Sequence, residues 1–178
     1  AQAREWQDNF HKIRVAVNLS PQTLMQADFI DYINHLVKDK NDGSLLIFEI
    51  TENLFLSEFE HLEESLDYLC SLGIELSIDD YGTGYSSLSR LRRMPVSELK
   101  IDKCFIKDMV ENRDDQAVVR STIELAHNLG LTVVAEGVES QAVHDLLARF
   151  GCDTIQGYFI SVPLSRQDFS EFIRLRSQ

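Results

Sequence analysis

Short apolar runs alternate with longer segments of helical periodicity along the whole chain. The runs are rich in Val, Ile and Leu, and several are apolar on successive residues, which is typical of parallel strands covered on both faces. Strands are predicted at Ile13–Leu19, Leu45–Thr51, Glu75–Asp80, Glu98–Asp102, Thr132–Val138 and Thr154–Ile160. The regular alternation of strand and helix predicts a parallel α/β fold.

The segments between these runs have the spacing of amphipathic helices. Helices are predicted at Thr23–Val37, Glu58–Leu72, Gln116–Leu129, Gln141–Phe150 and Arg166–Arg176, after an opening helical segment at Ala1–Phe10. Three of them end at a glycine that directly precedes a strand: Gly73, Gly130 and Gly151. Glycine at a helix C-terminus followed by a buried strand indicates a repeated βα unit.

Two parallel architectures fit this order of elements, an open doubly wound sheet and a closed (β/α)8 barrel. The open sheet usually has a glycine-rich phosphate loop after its first strand, and Val17–Gln22 contains no glycine. A complete barrel has eight strands and about 250 residues. With about six predicted strands, a modified (β/α)8 barrel of the TIM type would be N-terminally incomplete in this chain.

The amino-acid composition restricts the kinds of molecule that the protein can be expected to bind. The formal net charge of −12 disfavours binding to a nucleic-acid polymer or an anionic membrane through a basic surface. An apolar fraction of 44% argues against disorder, and no run of apolar residues is long enough to span a bilayer. Neither is there a cleavable signal sequence.

The positions of the cysteines and histidines restrict which kinds of disulfide or metal site the protein can have. Cys70, Cys104 and Cys152 lie far apart, which predicts reduced structural thiols and a cytoplasmic location, alone or as the cytoplasmic domain of a larger protein. The five histidines form no HxH or HExxH motif, so a metal site built from histidine is not expected.

Polar residues gather at the C-terminal ends of the predicted strands. They are Asn18, Glu49, Glu52, Asp79, Asp80, Lys100, Asp102, Glu136, Glu139 and Gln156. A single one of them would be interpreted as a solvated loop residue, but that explanation weakens when every strand ends in this way. In an α/β barrel this rim holds the active site. Converging carboxylates need cations, and oxygen ligands without histidine or thiolate favour Mg²⁺, Mn²⁺ or Ca²⁺.

The segment Asp79–Ser87, with the sequence DDYGTGYSS, carries the most specific signal. Adjacent aspartates at a strand end project in different directions, so one can bridge two metal ions while the other binds one. The two glycines permit close approach of the backbone, and the serines offer a helix cap. A capped βα loop without a ligand is the alternative, although such a loop would not require paired aspartates.

With these residues in place, the chain resembles the EAL family of cyclic-di-GMP phosphodiesterases. Six motifs occur in the family's order: VNLS at 17–20, FEITE at 48–52, DDYGTGYSSL at 79–88, LKID at 99–102, VAEGVE at 134–139 and QGYF at 156–159. They extend over nearly the whole chain, so we expect residues 1–178 to be the C-terminal three-quarters of an EAL barrel.

The resemblance implies a role for each matching residue. It assigns metal ligation to Asn18, Glu49, Asp79, Asp80 and Glu136, with two Mg²⁺ or Mn²⁺ ions as the cofactors. Lys100 is implied to hold the attacking water, and Glu136 is implied to act as a ligand and general base. Glu52 resembles the residue that stabilises the Asp79–Ser87 loop. Ser20, Gln156 and Glu139 are implied to position substrate or water.

One feature of the family is absent from the sequence. The Glu-Ala-Leu tripeptide and its neighbouring arginine do not occur in their family context, since Glu75-Leu76 and Glu124-Leu125-Ala126 have the wrong surroundings. They would precede Ala1, on the two strands that the barrel interpretation lacks. We therefore expect the 178 residues alone to be inactive and the completed domain to be the enzyme.

The function implied by the resemblance is metal-dependent hydrolysis of cyclic-di-GMP to linear pGpG in bacterial second-messenger signalling. A homodimer and an upstream sensory or GGDEF domain are compatible with it. Two alternatives stay open at this point. One is a non-catalytic EAL module that binds cyclic-di-GMP or a protein, and the other is an enolase-like barrel, which also combines a lysine with Mg²⁺-binding carboxylates.

Overall fold

Six parallel strands form the sheet of this protein, whose structure is a computed structural model describing residues 5–6, 13–38, 40–52, 59–84 and 88–176. The strands are β1 (Val15–Asn18), β2 (Leu46–Thr51), β3 (Glu75–Tyr81), β4 (Glu98–Ile101), β5 (Thr132–Ala135) and β6 (Thr154–Ile155). Their order in the sheet is their order in the chain, and every pairing is parallel. The predicted parallel α/β fold is confirmed.

The sheet is that of an incomplete TIM-type barrel. Within the described part of the chain, β1 pairs with β2 alone and β6 with β5 alone. The carboxyl ends of all six strands lie along one rim, because parallel strands share one direction. The fold therefore brings the polar strand ends together.

The described helices follow the strands in the expected alternation. They are α1 (Pro21–Leu24), α2 (Phe29–Leu36), α3 (Lys40–Gly43), α4 (Phe59–Ser71), α5 (Leu88–Leu91), α6 (Lys103–Ile106), α7 (Arg113–Asn128), α8 (Gln141–Phe150) and α9 (Arg166–Arg176). The glycines after α4, α7 and α8 have positive φ, as the sequence analysis expected of helix ends. None of the described helices is long and apolar enough to cross a membrane.

The predicted helix Thr23–Val37 is wrong as a single element. Helix α1 ends at Leu24 with Met25 as its C-cap, and α2 begins at Phe29 with Asp28 as its N-cap. Between the two helices, Gln26 N donates to Thr23 O. This break occurs without glycine or proline, so the local sequence gives no signal for it. The predicted opening helix at Ala1–Phe10 lies outside the described residues except for Glu5 and Trp6, which are helical.

The last two strands end earlier than predicted. The ladder continues briefly, since Gln156 N donates to Ala135 O and Val138 N donates to Gln156 O. Gly137 then turns the backbone with a φ of 70°, and Ile160 N donates back to Gly157 O in a turn. The two motifs after β5 and β6 are therefore rim loops, which places Glu136 and Gln156 at the mouth of the barrel.

The apolar core lies between the outer face of the sheet and the helices. Leu76 and Ile78 of β3 and Leu99 and Ile101 of β4 are at most 1% exposed and pack in this core. Because strand side chains alternate, the intervening residues of these strands point into the barrel. Those inward residues include Asp79 and Lys100, so the hydrophobic pattern itself directs both side chains to the interior.

Candidate metal centre

Lys100 lies at the centre of three carboxylates from three different strand ends. Its Nζ is 2.7 Å from Glu49 Oε1, 2.9 Å from Asp79 Oδ1 and 2.7 Å from Glu136 Oε1. The lysine side chain is 4% exposed, and the carboxylate side chains are 11%, 14% and 18% exposed in the same order. The four side chains thus form one compact, largely buried ionic cluster at the rim.

Burial lowers the pKa of Lys100, but hydrogen bonds to Glu136, Glu49 and Asp79 outweigh that effect, so the net shift is upward. The ammonium group is therefore charged at every physiological pH. A buried lysine with three anionic partners is strongly held, because removing the lysine leaves buried negative charge without compensation. Lys100 can act here as a fixed positive group and a hydrogen-bond donor, but it cannot act as a base.

The two adjacent aspartates occupy a distorted part of the sheet. The register between β3 and β4 shifts between Ile78 and Tyr81, and Asp80 has a φ of 56°, a conformation that residues other than glycine rarely adopt. A bulge of this kind re-aims side chains at the end of a strand. It allows both Asp79 and Asp80 to face the rim, where regular alternation would send them to opposite faces.

Asp79, Asp80 and Glu136 have the arrangement of a cation site. Each offers a carboxylate oxygen, and the three oxygens lie within 4.8 Å of one another. Such a set of hard oxygen donors fits Mg²⁺ or Mn²⁺. Glu49 is joined to this group through Lys100, with which it forms an ion pair.

Asp102 joins the site, although the sequence analysis gave it a place on the rim and no role. Burial and a hydrogen bond to Asp102 raise the pKa of Asp80. Burial opposes the downward shift of the Asp102 pKa, but hydrogen bonds from Cys104 and Asp80 outweigh it. The pKa values of the two carboxyl groups thus move in opposite directions. The LKID motif was the signal from which Asp102 could have been assigned.

Glu52 holds the loop that follows β3. Its Oε2 accepts hydrogen bonds from Gly82 N and Gly84 N, both at 3.0 Å, and the residue is 2% exposed. A Cβ on Gly84 would lie 3.2 Å from the Glu52 carboxyl carbon. This contact has the geometry expected of a loop-stabilising residue. The part of the loop at 85–87 lies outside the described residues.

The other proposed site residues lie around this cluster. Asn18 is exposed at the end of β1, in register with Glu49. The Ser20 hydroxyl accepts from Thr23 N and caps α1. Gln156 is exposed and, with Glu49 and Lys100, lines a cavity of about 720 Å³. Glu139 is exposed and does not belong to the close carboxylate group.

The fold is an incomplete parallel α/β barrel, and its C-terminal rim holds a carboxylate cluster around a buried lysine. These two features together are those of a class of metal-binding barrel proteins. The chain matches the family described as "EAL domain" over residues 1–163. The protein therefore belongs to the EAL family, and the resemblance stated from its motifs is confirmed.

Related proteins and solved structures support the assignment. The chain is 40% identical over 165 residues to the bifunctional diguanylate cyclase/cyclic di-GMP phosphodiesterase MucR of Pseudomonas aeruginosa, covering 92% of this chain and 24% of MucR. A structure of the PaMucR phosphodiesterase with c-di-GMP is 39% identical, with a TM-score of 0.88, covering 94% of this chain and 69% of that one. A manganese/cy-diGMP complex of Klebsiella pneumoniae BlrP1 is 29% identical, with a TM-score of 0.79, covering 93% and 42% of the two chains.

The chain spans only a part of its curated relatives. It covers 22%, 24% and 20% of the first three of them. The relatives therefore contain other regions as well as the part that this chain resembles.

Proposed function

We propose that these residues form the C-terminal three-quarters of an EAL domain that, when completed, hydrolyses cyclic-di-GMP to linear pGpG with two Mg²⁺ or Mn²⁺ ions. The completed domain means residues 1–178 joined to a segment that supplies the Glu-Ala-Leu motif and two further strands. The observation that carries the proposal is the cluster of Glu49, Asp79 and Glu136 around Lys100, at the C-terminal rim of the barrel. The phosphodiesterase name of MucR and its complex with c-di-GMP support the choice of substrate.

The proposed ligands are Asn18, Glu49, Asp79, Asp80 and Glu136. Cyclic-di-GMP is an anion, so the acidic rim of a chain with a net charge of −12 would repel it without bound cations. Divalent ions reverse that local field, lower the pKa of bound water and stabilise charge on phosphoryl oxygens. The manganese and calcium complexes of BlrP1 with cy-diGMP support such a cofactor.

The chain's own residues orient the reaction. Lys100 carries a positive charge beside three carboxylates, so it can offset charge in the transition state. It is also proposed to hold the attacking water, for which one of its three N–H groups would have to leave a carboxylate. Glu136 can accept a proton from that water, because a carboxylate in hydrogen-bond reach is the usual general base. Glu52 keeps the loop after Asp80 in place through two backbone hydrogen bonds. Ser20, Gln156 and Glu139 are proposed to position substrate or water.

The setting of the domain is also a proposal. The family context supports a bacterial signalling protein with cyclic-di-GMP as its ligand. A cytoplasmic location, without a nucleic-acid polymer or membrane as a partner of this region, is proposed from the net charge and the lack of a long apolar run. A homodimer and an upstream sensory or GGDEF domain belong to the same proposal, and the bifunctional name of MucR supports the second of these.

The decisive experiment compares Asp79→Asn with Asp67→Asn, an exposed change on α4, in the completed domain with excess Mg²⁺. We expect Asp79→Asn to lower pGpG production at least about a thousandfold, because several kcal/mol of metal-dependent charge stabilisation is lost. The control should keep full turnover. Cyclic-di-GMP binding without hydrolysis by the unmutated domain would identify the non-catalytic alternative, and undiminished hydrolysis after chelation would refute the metal mechanism.

A further inference from the structure

Helix α6 lies between two rim loops that carry proposed metal ligands. It starts directly after β4, the strand of Lys100, with Asp102 as its N-cap. One neighbouring loop follows Asp79 and Asp80, and the other follows Glu136. The contacts of α6 with these loops are made by residues to which the proposed mechanism gives no role.

The first contact is between Phe105 and the loop after β3. A Cβ on Gly82 would lie 2.9 Å from Phe105 Cε2 and 3.4 Å from Phe105 Cζ, so the ring edge touches the loop backbone. Gly82, which lies on this loop, also donates its backbone N–H to the Glu52 carboxylate at the end of β2. The loop is therefore held between the Glu52 carboxylate and the Phe105 ring.

The second contact is between Lys103 and the loop after β5. Gly137 follows Glu136 directly and has a φ of 70°, and a Cβ on it would lie 2.6 Å from Lys103 Cβ. This distance is shorter than ordinary van der Waals contact, so only glycine lets the Glu136 loop approach α6 this closely. The two loops thus contact the same short helix.

Helix α6 is itself firmly placed. Asp102 Oδ1 accepts from Cys104 N at 2.7 Å, which fixes the start of the helix. Ile106 is 0% exposed in the core, and Phe105 is partly buried against the same core. A helix fixed at both ends transmits its position to whatever packs on it, because packed interiors resist deformation.

We propose that α6 is a spacer that sets the separation between the Asp79–Asp80 pair and Glu136, with Phe105 as the positioning residue on the aspartate side. The inference rests on the proposed metal-dependent function. Phe105 meets the loop at Gly82, so it acts on cation binding through the loop backbone. Residues that orient ligands from behind commonly change metal affinity ten- to a hundredfold when they are altered.

The test is a Mn²⁺ titration of the completed domain, unmutated and with each substitution, followed by electron paramagnetic resonance, with thermal unfolding recorded for each variant. Phe105→Leu removes the ring atoms that touch Gly82 and keeps an apolar side chain in the core. Phe105→Met restores the reach of the side chain. Phe150→Leu is the matched control, because Phe150 is also partly buried against the core but ends α8, which leads to the start of β6.

We expect Phe105→Leu to weaken Mn²⁺ binding about tenfold and Phe105→Met to recover most of that loss. Phe150→Leu should lose a similar amount of thermal stability and keep the affinity of the unmutated domain. Equal affinity in Phe105→Leu and Phe150→Leu would overturn the spacer while leaving the metal centre intact. If the unmutated domain binds no Mn²⁺, the metal centre of the proposed function is refuted, and the spacer with it.

Discussion

Lys100 determines the charge balance of the rim, because one ammonium group on β4 contacts three carboxylates at the ends of β2, β3 and β5. The sequence pattern placed these residues at strand ends, and the resemblance gave the lysine its role. Neither could show that Lys100 lies at the centre, since that depends on the registers of four strands and on the bulge at Asp80. The positions of residues in a site follow from strand register, which is set by how the buried faces of neighbouring strands pack together and not by one segment alone.

Replacing the lysine should destabilise the fold. We expect Lys100→Met to lower the free energy of unfolding by about 3 kcal/mol at pH 7 in a chelating buffer, because three largely buried carboxylates lose their cation. Urea denaturation measures this value, with the exposed Lys107→Met as the control. A loss no larger than that of Lys107→Met would contradict this electrostatic explanation.

The upward shift of the Lys100 pKa fixes the pH range of its contribution. A raised pKa in the folded state stabilises the fold fully below the ordinary lysine value of about 10.4, and that contribution disappears only as the pH rises through the folded value. The contribution of the Lys100 charge to the free energy of unfolding should therefore be constant between about pH 6 and pH 9. Turnover gives a second measurement of the same property. If kcat of the completed domain falls with rising pH in this range, and the fall disappears in Lys100→Arg, then Lys100 loses its proton there and the assignment of a permanently charged lysine is wrong.

Glu136 and Glu139 provide a contrast within one motif. Glu136 contacts Lys100 and belongs to the close carboxylate group, whereas Glu139 is exposed and outside it. We expect Glu136→Gln to lower turnover of the completed domain about a hundredfold or more, as loss of a general base does. Glu139→Gln should have a much smaller effect. A larger loss in Glu139→Gln than in Glu136→Gln would reverse these two assignments.

At the scale of the elements, the sequence predicted all six strands and the βα alternation, because continuous apolar runs and glycine stops are strong local signals. The predictions are wrong where tertiary contacts, and not the local sequence, determine where an element ends. The break between α1 and α2 has no local breaker, and β5 ends because Gly137 turns against Lys103. The contact of Phe105 with Gly82 depends on the fit of a side chain to a backbone, which no periodicity reports.

Asp153 links three elements at the opposite end of the barrel from the rim. Its Oδ2 accepts from His127 Nε2 of α7 and from Val133 N of β5, both at 2.8 Å, while Asp153 itself lies between α8 and β6. Burial raises the pKa of Asp153, but the His127 and Val133 hydrogen bonds outweigh it and give a net downward shift. This residue therefore contributes stability in its charged form.

We expect Asp153→Ala to lower the free energy of unfolding by about 1 kcal/mol at pH 7, a value discounted because its side chain is 37% exposed. A lowered pKa gives stability above the ordinary value of about 3.9 and loses it as the pH falls through the folded value. The difference from the unmutated chain should thus close below about pH 4 in acid denaturation. Asp67→Ala, which alters an exposed aspartate on α4, is the control.

At the scale of the whole molecule, the edge strands β1 and β6 bear on whether one chain associates with another. Within the described residues, β1 and β6 each lack a second partner, and unpaired edges favour association with other chains. The family's Glu-Ala-Leu motif is also absent from the sequence. Both features bear on whether the 178 residues work alone.

We expect the 178-residue chain to have little or no phosphodiesterase activity and to self-associate, whereas the completed domain turns over as a soluble species. The measurement is pGpG production at equal protein concentration in excess Mg²⁺, with the oligomeric state followed by light scattering. A monomeric 178-residue chain with the turnover of the completed domain would contradict both the strand count and the ligand assignment.

The order of strands in the sheet, which equals their order in the chain, has a consequence for synthesis on the ribosome. Each strand can pair with a neighbour that has already emerged, so the sheet can grow from the N-terminal side without waiting for distant sequence. Lys100 would meet Glu49 and Asp79 before Glu136 is translated, because β2 and β3 precede β4 and β5. The nascent chain thus carries its own counter-charge for these two acids, and the cation-binding group is assembled only when β5 joins the sheet.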